Sequence, residues 1–149
     1  MIIETLTWGS LDIKEDQVYR FEKGIPGFDE EAEFALIEHE APFVYLQSTK
    51  EKGLAFLLGD PFAFYPDYEF VLPEADKDEL NLGLHVKVLG MITLREQIEQ
   101  STMNLLAPIV LNSELRLGKQ VVLHQTTYQT KHPLWPQHSS PQINGKAGE

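Results

Sequence analysis

Apolar and polar residues alternate along most of the chain, which is the period-2 signature of strands with one buried face. The alternation predicts strands at 2–8, 17–21, 33–38, 44–48, 54–58, 68–72, 85–94, 103–112 and 120–124. Turn residues separate them: Trp8-Gly9-Ser10, Lys52-Gly53, Tyr65-Pro66-Asp67 and Leu117-Gly118-Lys119. The best-specified turn is Ile25-Pro26-Gly27-Phe28, where Pro26 presets φ at the second position and Gly27 supplies the positive φ that a type II turn needs at the third. Phe21 and Phe28 bracket that turn and are expected to pin its flanks into the core.

Helical signal is sparse. Glu74-Ala75-Asp76 after Pro73 places negative charge at the positive end of a short helix, and a second helical turn is expected near 95–100. The expected fold is therefore all-β: a small antiparallel β-barrel-like domain with one or two short helices, since a closed barrel buries many short strands without long exposed edges. The run Thr102 to Asn112 is almost wholly apolar, so it is expected to be buried on both faces or to lie in an interface. Pro108 has no N–H to give a ladder, which demands an edge or a bulge there. Asn104 and Asn112 are the polar exceptions. Each either satisfies backbone groups at a strand end, the preferred reading, or faces a partner.

Residues 1–133 read as one partner-binding domain and 134–149 as a flexible tail, because three prolines, two glycines and two serines crowd the sequence from Pro133 onward. Trp135 is the residue of that tail that water penalises most, so it is expected to dock back if any does.

Composition narrows the class. The 149 residues contain no cysteine, which excludes disulfides, thiolate nucleophiles and cysteine-based zinc sites. No signal segment or apolar span is evident, and the expected location is cytoplasmic. The net charge of −11 argues against direct nucleic-acid binding, which needs clustered Lys and Arg, and favours a basic protein partner. Residues 29–40 hold six acids and no base, and residues 60–79 hold seven acids against Lys77, so each segment carries −6.

Catalytic patterns do not emerge. No nucleophile elbow, P-loop, dinucleotide fingerprint or EF-hand loop occurs. His39-Glu40-Ala41-Pro42-Phe43 opens like a zinc-protease helix but puts Phe43 where the second histidine must stand. The histidines at 39, 85, 124, 132 and 138 are scattered. The chain reads as a non-enzyme with no cofactor and no metal. Within an aromatic cluster, Phe56, Phe62, Phe64 and Phe70 are expected to alternate inward and fill the barrel, while Tyr65 and Tyr68, beside Asp67 and Glu69, are candidate exposed anchors. The candidate partner-binding residues are Tyr65, Asp67, Tyr68, Glu69, Glu74, Asp76, Asp78, Glu79, Asn104 and Asn112.

Phe21-Glu22-Lys23-Gly24-Ile25-Pro26-Gly27-Phe28, then Phe43, Leu46-Gln47-Ser48, Ala55-Phe56, Tyr68-Glu69-Phe70-Val71-Leu72, Asn104-Leu105-Leu106-Ala107-Pro108-Ile109-Val110 and Gln120-Val121-Val122-Leu123 closely resemble the FliW family of flagellar assembly factors. The likeness runs from the start of the chain to about Pro133. It implies a β-barrel-like cytoplasmic protein of bacterial flagellum biogenesis and translation regulation with two alternative partners, flagellin and the RNA-binding translational repressor CsrA. Such a protein relieves CsrA's repression of flagellin synthesis until flagellin takes its place. The alternative is a flagellin chaperone without a direct role in translation. No short motif fixes the contact residues, so the ten candidates rest on this sequence alone.

Overall fold

In the computed structural model, which describes residues 1–28 and 32–135, the chain forms a seven-stranded barrel with a hairpin on one side and a helical strap on the other. The hairpin pairs β1 (Ile2–Thr5) with β2 (Gly9–Asp12). A single strand over 2–8 was expected. The chain instead turns at Thr5, whose Oγ1 accepts the Trp8 N–H and donates to the Gly9 carbonyl, both at 2.9 Å.

Strands β3 (Val18–Arg20), β4 (Glu33–Glu38), β5 (Phe43–Ser48), β6 (Ala55–Gly59), β7 (Val86–Thr93), β8 (Thr102–Asn112) and β9 (Leu117–Gln120) follow one another as antiparallel neighbours. A single parallel bridge, Arg20 to Leu117, returns β9 to β3 and closes the ring. The expected all-β barrel is what forms, with this one parallel contact at its seam. β10 (His132–Pro133) adds to the start of β8.

Alternation sorts the core into layers. Phe34, Leu36, Leu46, Leu58, Leu89, Ile109 and Leu111 point inward, one or two from each wall strand, around Phe21 and Ile25. Ile3, Ile13 and Ala35 form a small layer under the hairpin. The outer face of β8 is covered as well: Met103, Leu105 and Val110 pack with Tyr68, Leu80, Val121, Leu123 and Leu134. β8 is thus buried on both faces, as its composition predicted.

The bulge demanded by Pro108 is present. Leu89 pairs with Ile109 but Met91 pairs with Asn104, so residues 105–108 are looped out against Gly90. Asn104 organises that loop, its Oδ1 accepting the N–H groups of Leu106 and Ala107 at 3.1 and 2.9 Å. The turn at Ile25–Phe28 also forms as expected: Gly27 has φ +89° and the Phe28 N–H donates to the Ile25 carbonyl.

Several expectations fail for identifiable reasons. Residues 61–64 form helix α1 (Pro61–Phe64), because the Asp60 carboxylate caps the Phe62 N–H and Pro61 sits at the first helical position. Helix α2 (Glu74–Leu80) does form where predicted, and the helical turn expected near 95–100 forms as a 3-10 turn at Ile98–Gln100. Leu117-Gly118-Lys119 is strand, not turn. Gly118 is there because a Cβ would sit 2.5 Å from the Phe21 ring. Residues 68–72 pair with no strand. Phe28 is 43% exposed and rests edge-on against Phe56 instead of entering the core. Leu134, placed in the tail by composition, is buried, with its N–H on the Ser101 carbonyl. The rest of the expected tail from 136 on lies outside the described residues, as do Asp29, Glu30 and Glu31.

Candidate partner-binding face

All ten candidate residues lie over the outer face of β8 and β9, on the strap that leads from α1 through α2 or on β8 itself. The strap is held to the barrel by side chains. Leu80 is buried at the end of α2, and Asn112 at the end of β8 donates from Nδ2 to the carbonyls of Leu80 (2.9 Å) and Asn81 (3.0 Å). The Asn112 Oδ1 accepts from Glu114 and Leu115, both at 3.0 Å. Its amide is spent inside the protein, as is the Asn104 oxygen. Both follow the preferred reading of these two residues.

The tyrosines are also engaged. Tyr68 is only 4% exposed and its hydroxyl donates to the Leu105 carbonyl at 2.8 Å. Burial and the neighbouring Tyr128 hold that hydroxyl well above the ordinary phenol range. Its ring meets Phe62, Phe70 and Tyr128 at centroid distances of 5.6, 5.1 and 4.7 Å. Tyr65 is half-buried, donates to the Pro133 carbonyl and is raised by burial. These rings anchor the strap and the C-terminal stretch to the barrel rather than presenting themselves to solvent.

On α2 the acids are largely paired. The Lys119 ammonium of β9 donates to Asp76 and, at 2.7 Å, to Glu79; Lys23 reaches Glu79 at 3.0 Å, and Lys77 reaches Glu74 at 3.4 Å. Hydrogen bonds from Lys119 and then Lys23 hold the Glu79 carboxyl below its usual range. Burial pulls the Lys119 ammonium down, but Asp76 and Glu79 outweigh it and the net shift is upward. Four carboxylates (74, 76, 78, 79) against three ammonium groups (23, 77, 119) leave this patch near −1, far from what the acid run suggested. The carboxylates left most available are Asp67, Glu69 and Asp78 on exposed positions. The two acid-rich segments meet at one groove, lined by Glu38, His39, Asp60 and Phe62.

Lys23, Lys119, Tyr128 and His132 were not foreseen. The Nε2 of His132 accepts the Gln129 N–H at 2.8 Å, and burial lowers its pKa. Lys23, Lys119 and Tyr128 bond to residues far away in sequence, and the distant contact of His132 is edge-on with the Tyr65 ring, so no local spacing announces them. Among the described residues, no three His, Asp or Glu side chains gather to hold a metal ion. No described helix is long and apolar enough to cross a membrane.

A family model described as FliW protein matches residues 2–134. The chain belongs to the FliW family. The flagellar assembly factor FliW of Bacillus subtilis strain 168 is 45% identical over 138 residues, covering 90% of this chain and 96% of the relative. That of Desulfitobacterium hafniense strain DCB-2 is 43% identical over 141 residues, covering 92% and 93%. A solved structure, the crystal structure of the flagellar assembly factor FliW, superposes with a TM-score of 0.87 at 41% identity, covering 92% of this chain and 99% of that one. As a FliW protein, the chain is a flagellar assembly factor with a β-barrel fold. Part of the FliW-like sequence is explained by architecture: the buried Gln47 ties its amide to the Ser48 and Lys52 carbonyls, and the Ser48 hydroxyl accepts the Lys50 and Glu51 N–H groups, so Leu46-Gln47-Ser48 knits the β5–β6 turn.

Proposed function

We propose that this flagellar assembly factor acts in the cytoplasm by binding the repressor CsrA, which relieves repression of flagellin synthesis, and that flagellin competes for it as the alternative, chaperoned partner. The observation that carries the proposal is the surplus of acid on an otherwise ordinary small domain. A net charge of −11, with Glu38, Glu40, Asp67, Glu69 and Asp78 all exposed, suits a basic RNA-binding repressor. The near-neutral α2 patch moves the expected steering charges away from α2 itself, towards the Asp67–Glu69 turn and the 33–40 segment.

The test is a titration of each purified partner against the protein, alone and in competition. Saturable CsrA binding that flagellin reverses is the expected result. Flagellin binding with no CsrA binding leaves the chaperone role alone. Surface charges steer encounter and are screened within a Debye length of ~8 Å at physiological salt, so raising salt should slow CsrA association more than it speeds dissociation. An association rate indifferent to salt removes the electrostatic part of the proposal.

A further inference from the structure

Two stretches that read as strands in the sequence are left without a full set of neighbours. Residues 68–72 keep the strand pattern, Tyr68 and the half-buried Phe70 and Leu72 alternating with exposed Glu69 and Val71, and Val71 is 86% exposed. They join no sheet. Residues 121–124 continue β9 past its end: the Val121 and Leu123 N–H groups donate to Pro108 and Leu106 at 2.9 Å, in the same register that pairs Gln120 with Ile109. Successive N–H groups of a strand point to opposite sides. Val122 and His124 therefore turn theirs away from β8. Among the described residues, no acceptor meets the N–H groups of Phe70, Val71, Leu72, Val122 or His124.

These two unpaired edges line the same groove, of about 450 Å³, with 69–73 on one side and 123–126 on the other. An edge of free N–H and C=O groups is a template for another strand. Here the template is double. The side chains lining it are mostly apolar, Glu69 is its one carboxylate, no Lys or Arg lines it, and Asp67 precedes it on an exposed turn.

We propose that this groove receives one extended segment of a partner protein as an added strand, apolar at alternate positions and basic at its flanks. The proposal rests on the protein-binding reading above and adds to it the form in which the partner is held. Five residues at ~3.3 Å each give the 69–73 edge a length of about 16 Å, enough for one ordinary short strand. Val71 is the position at which backbone and side chain can be separated. Its side chain is in solvent and its N–H is unmet, so Val71→Pro deletes an edge donor without removing a bond the fold uses.

The probe is a synthetic nine-residue peptide of alternating valine and threonine with lysine at both ends, titrated into the full chain while amide exchange is followed residue by residue. At saturation the Val71, Val122 and His124 amides should slow by about tenfold or more, Val71 because its N–H lies on the same side as that of Glu69, which reaches Tyr128. Val71→Pro should cost about tenfold in affinity with Tm unchanged, whereas Val71→Thr should stay within about threefold and a glutamate-ended peptide should bind about tenfold more weakly. Unchanged exchange at these amides up to millimolar peptide overturns the proposal, as does protection elsewhere or full binding by Val71→Pro. Groove amides already protected in the full chain, and released by ending the chain at Trp135, would make the chain's own tail the occupant. Protection that grows with protein concentration would make it a second copy. Either result overturns the proposal. If CsrA and flagellin bind but the peptide does not, the groove fails and the proposed function stands; if only the peptide binds, the reverse holds.

Discussion

The wall from β4 to β7 and the seam around β9 and α2 are built on different principles. In the wall, β4 and β5 share five register pairs and β5 and β6 another five, and the apolar side chains of each strand interlock inside the ring. At the seam the backbone ladder shrinks to the Arg20–Leu117 bridge, and its place is taken by side chains bonded to groups distant in sequence: Asn112 on the α2 backbone, Tyr68 on the β8 bulge, Tyr65 on the Pro133 carbonyl, and Lys119 on two carboxylates of α2. A ladder spreads its energy over many small and replaceable contacts. Single polar side chains concentrate it, so each is a point of failure, and the region they hold is where backbone remains free to meet a partner.

The contrast can be broken at the wall first. Phe34 is fully buried and edge-on to Phe21, so Phe34→Ala should cost about 3–5 kcal/mol and shift the whole urea transition as one step. At the seam, Asn112→Ala removes both donors from the Leu80 and Asn81 carbonyls and should cost about 2–3 kcal/mol. Amide exchange in α2 should accelerate before the wall loosens; simultaneous loosening would mean that seam and wall form one cooperative unit. Tyr68→Phe keeps the ring packing but strands the Leu105 carbonyl, for about 1–2 kcal/mol by denaturation.

The smallest effect is expected from acid. Burial lowers the His132 pKa from its ordinary 6.5, so as pH falls through that value the unfolded chain takes a proton before the folded chain does. Stability is therefore full above 6.5 and declines below it, as protonation removes the acceptor that holds the Gln129 N–H. Protection of the 129–134 amides should fall in that window, and His132→Gln should abolish the dependence.

The wall was legible in the sequence because period-2 alternation and burial there have the same cause. Ala35 and Ile37 face the hairpin layer while Phe34 and Leu36 face the barrel interior, and no distant residue is needed to foresee it. The Pro108 bulge was legible for a covalent reason, the missing N–H. The seam was not. Residues 68–72 carry strand chemistry, yet pairing is a property of two segments and the pattern of one cannot reveal whether a neighbour exists. Gly118 read as a turn because glycine marks turns, but here it makes room for Phe21, which is 97 residues away in sequence. The candidate site suffered most from such long-range effects: Tyr68 looked like an exposed anchor until Leu105 claimed its hydroxyl, and the α2 acids looked unneutralised until Lys119 and Lys23 came beside them. Only the Asp60-Pro61 start of α1 was a local signal that went unread.

β8 touches β7, β9 and β10 and belongs to both the inner and the outer core. On the ribosome, a nascent chain that has exposed residues up to 93 holds β3 to β7 with β3 and β7 both unpaired on one side and with Ile109 and Leu111 still missing from the inner core. It then waits for 102–120. At about 5–20 residues per second that wait lasts roughly 1–5 s. During it, the apolar faces of β4 to β7 are open to any passing strand. The protein's aggregation risk in the cell is thus set less by the stability of the finished barrel than by how promptly translation delivers its eighth strand.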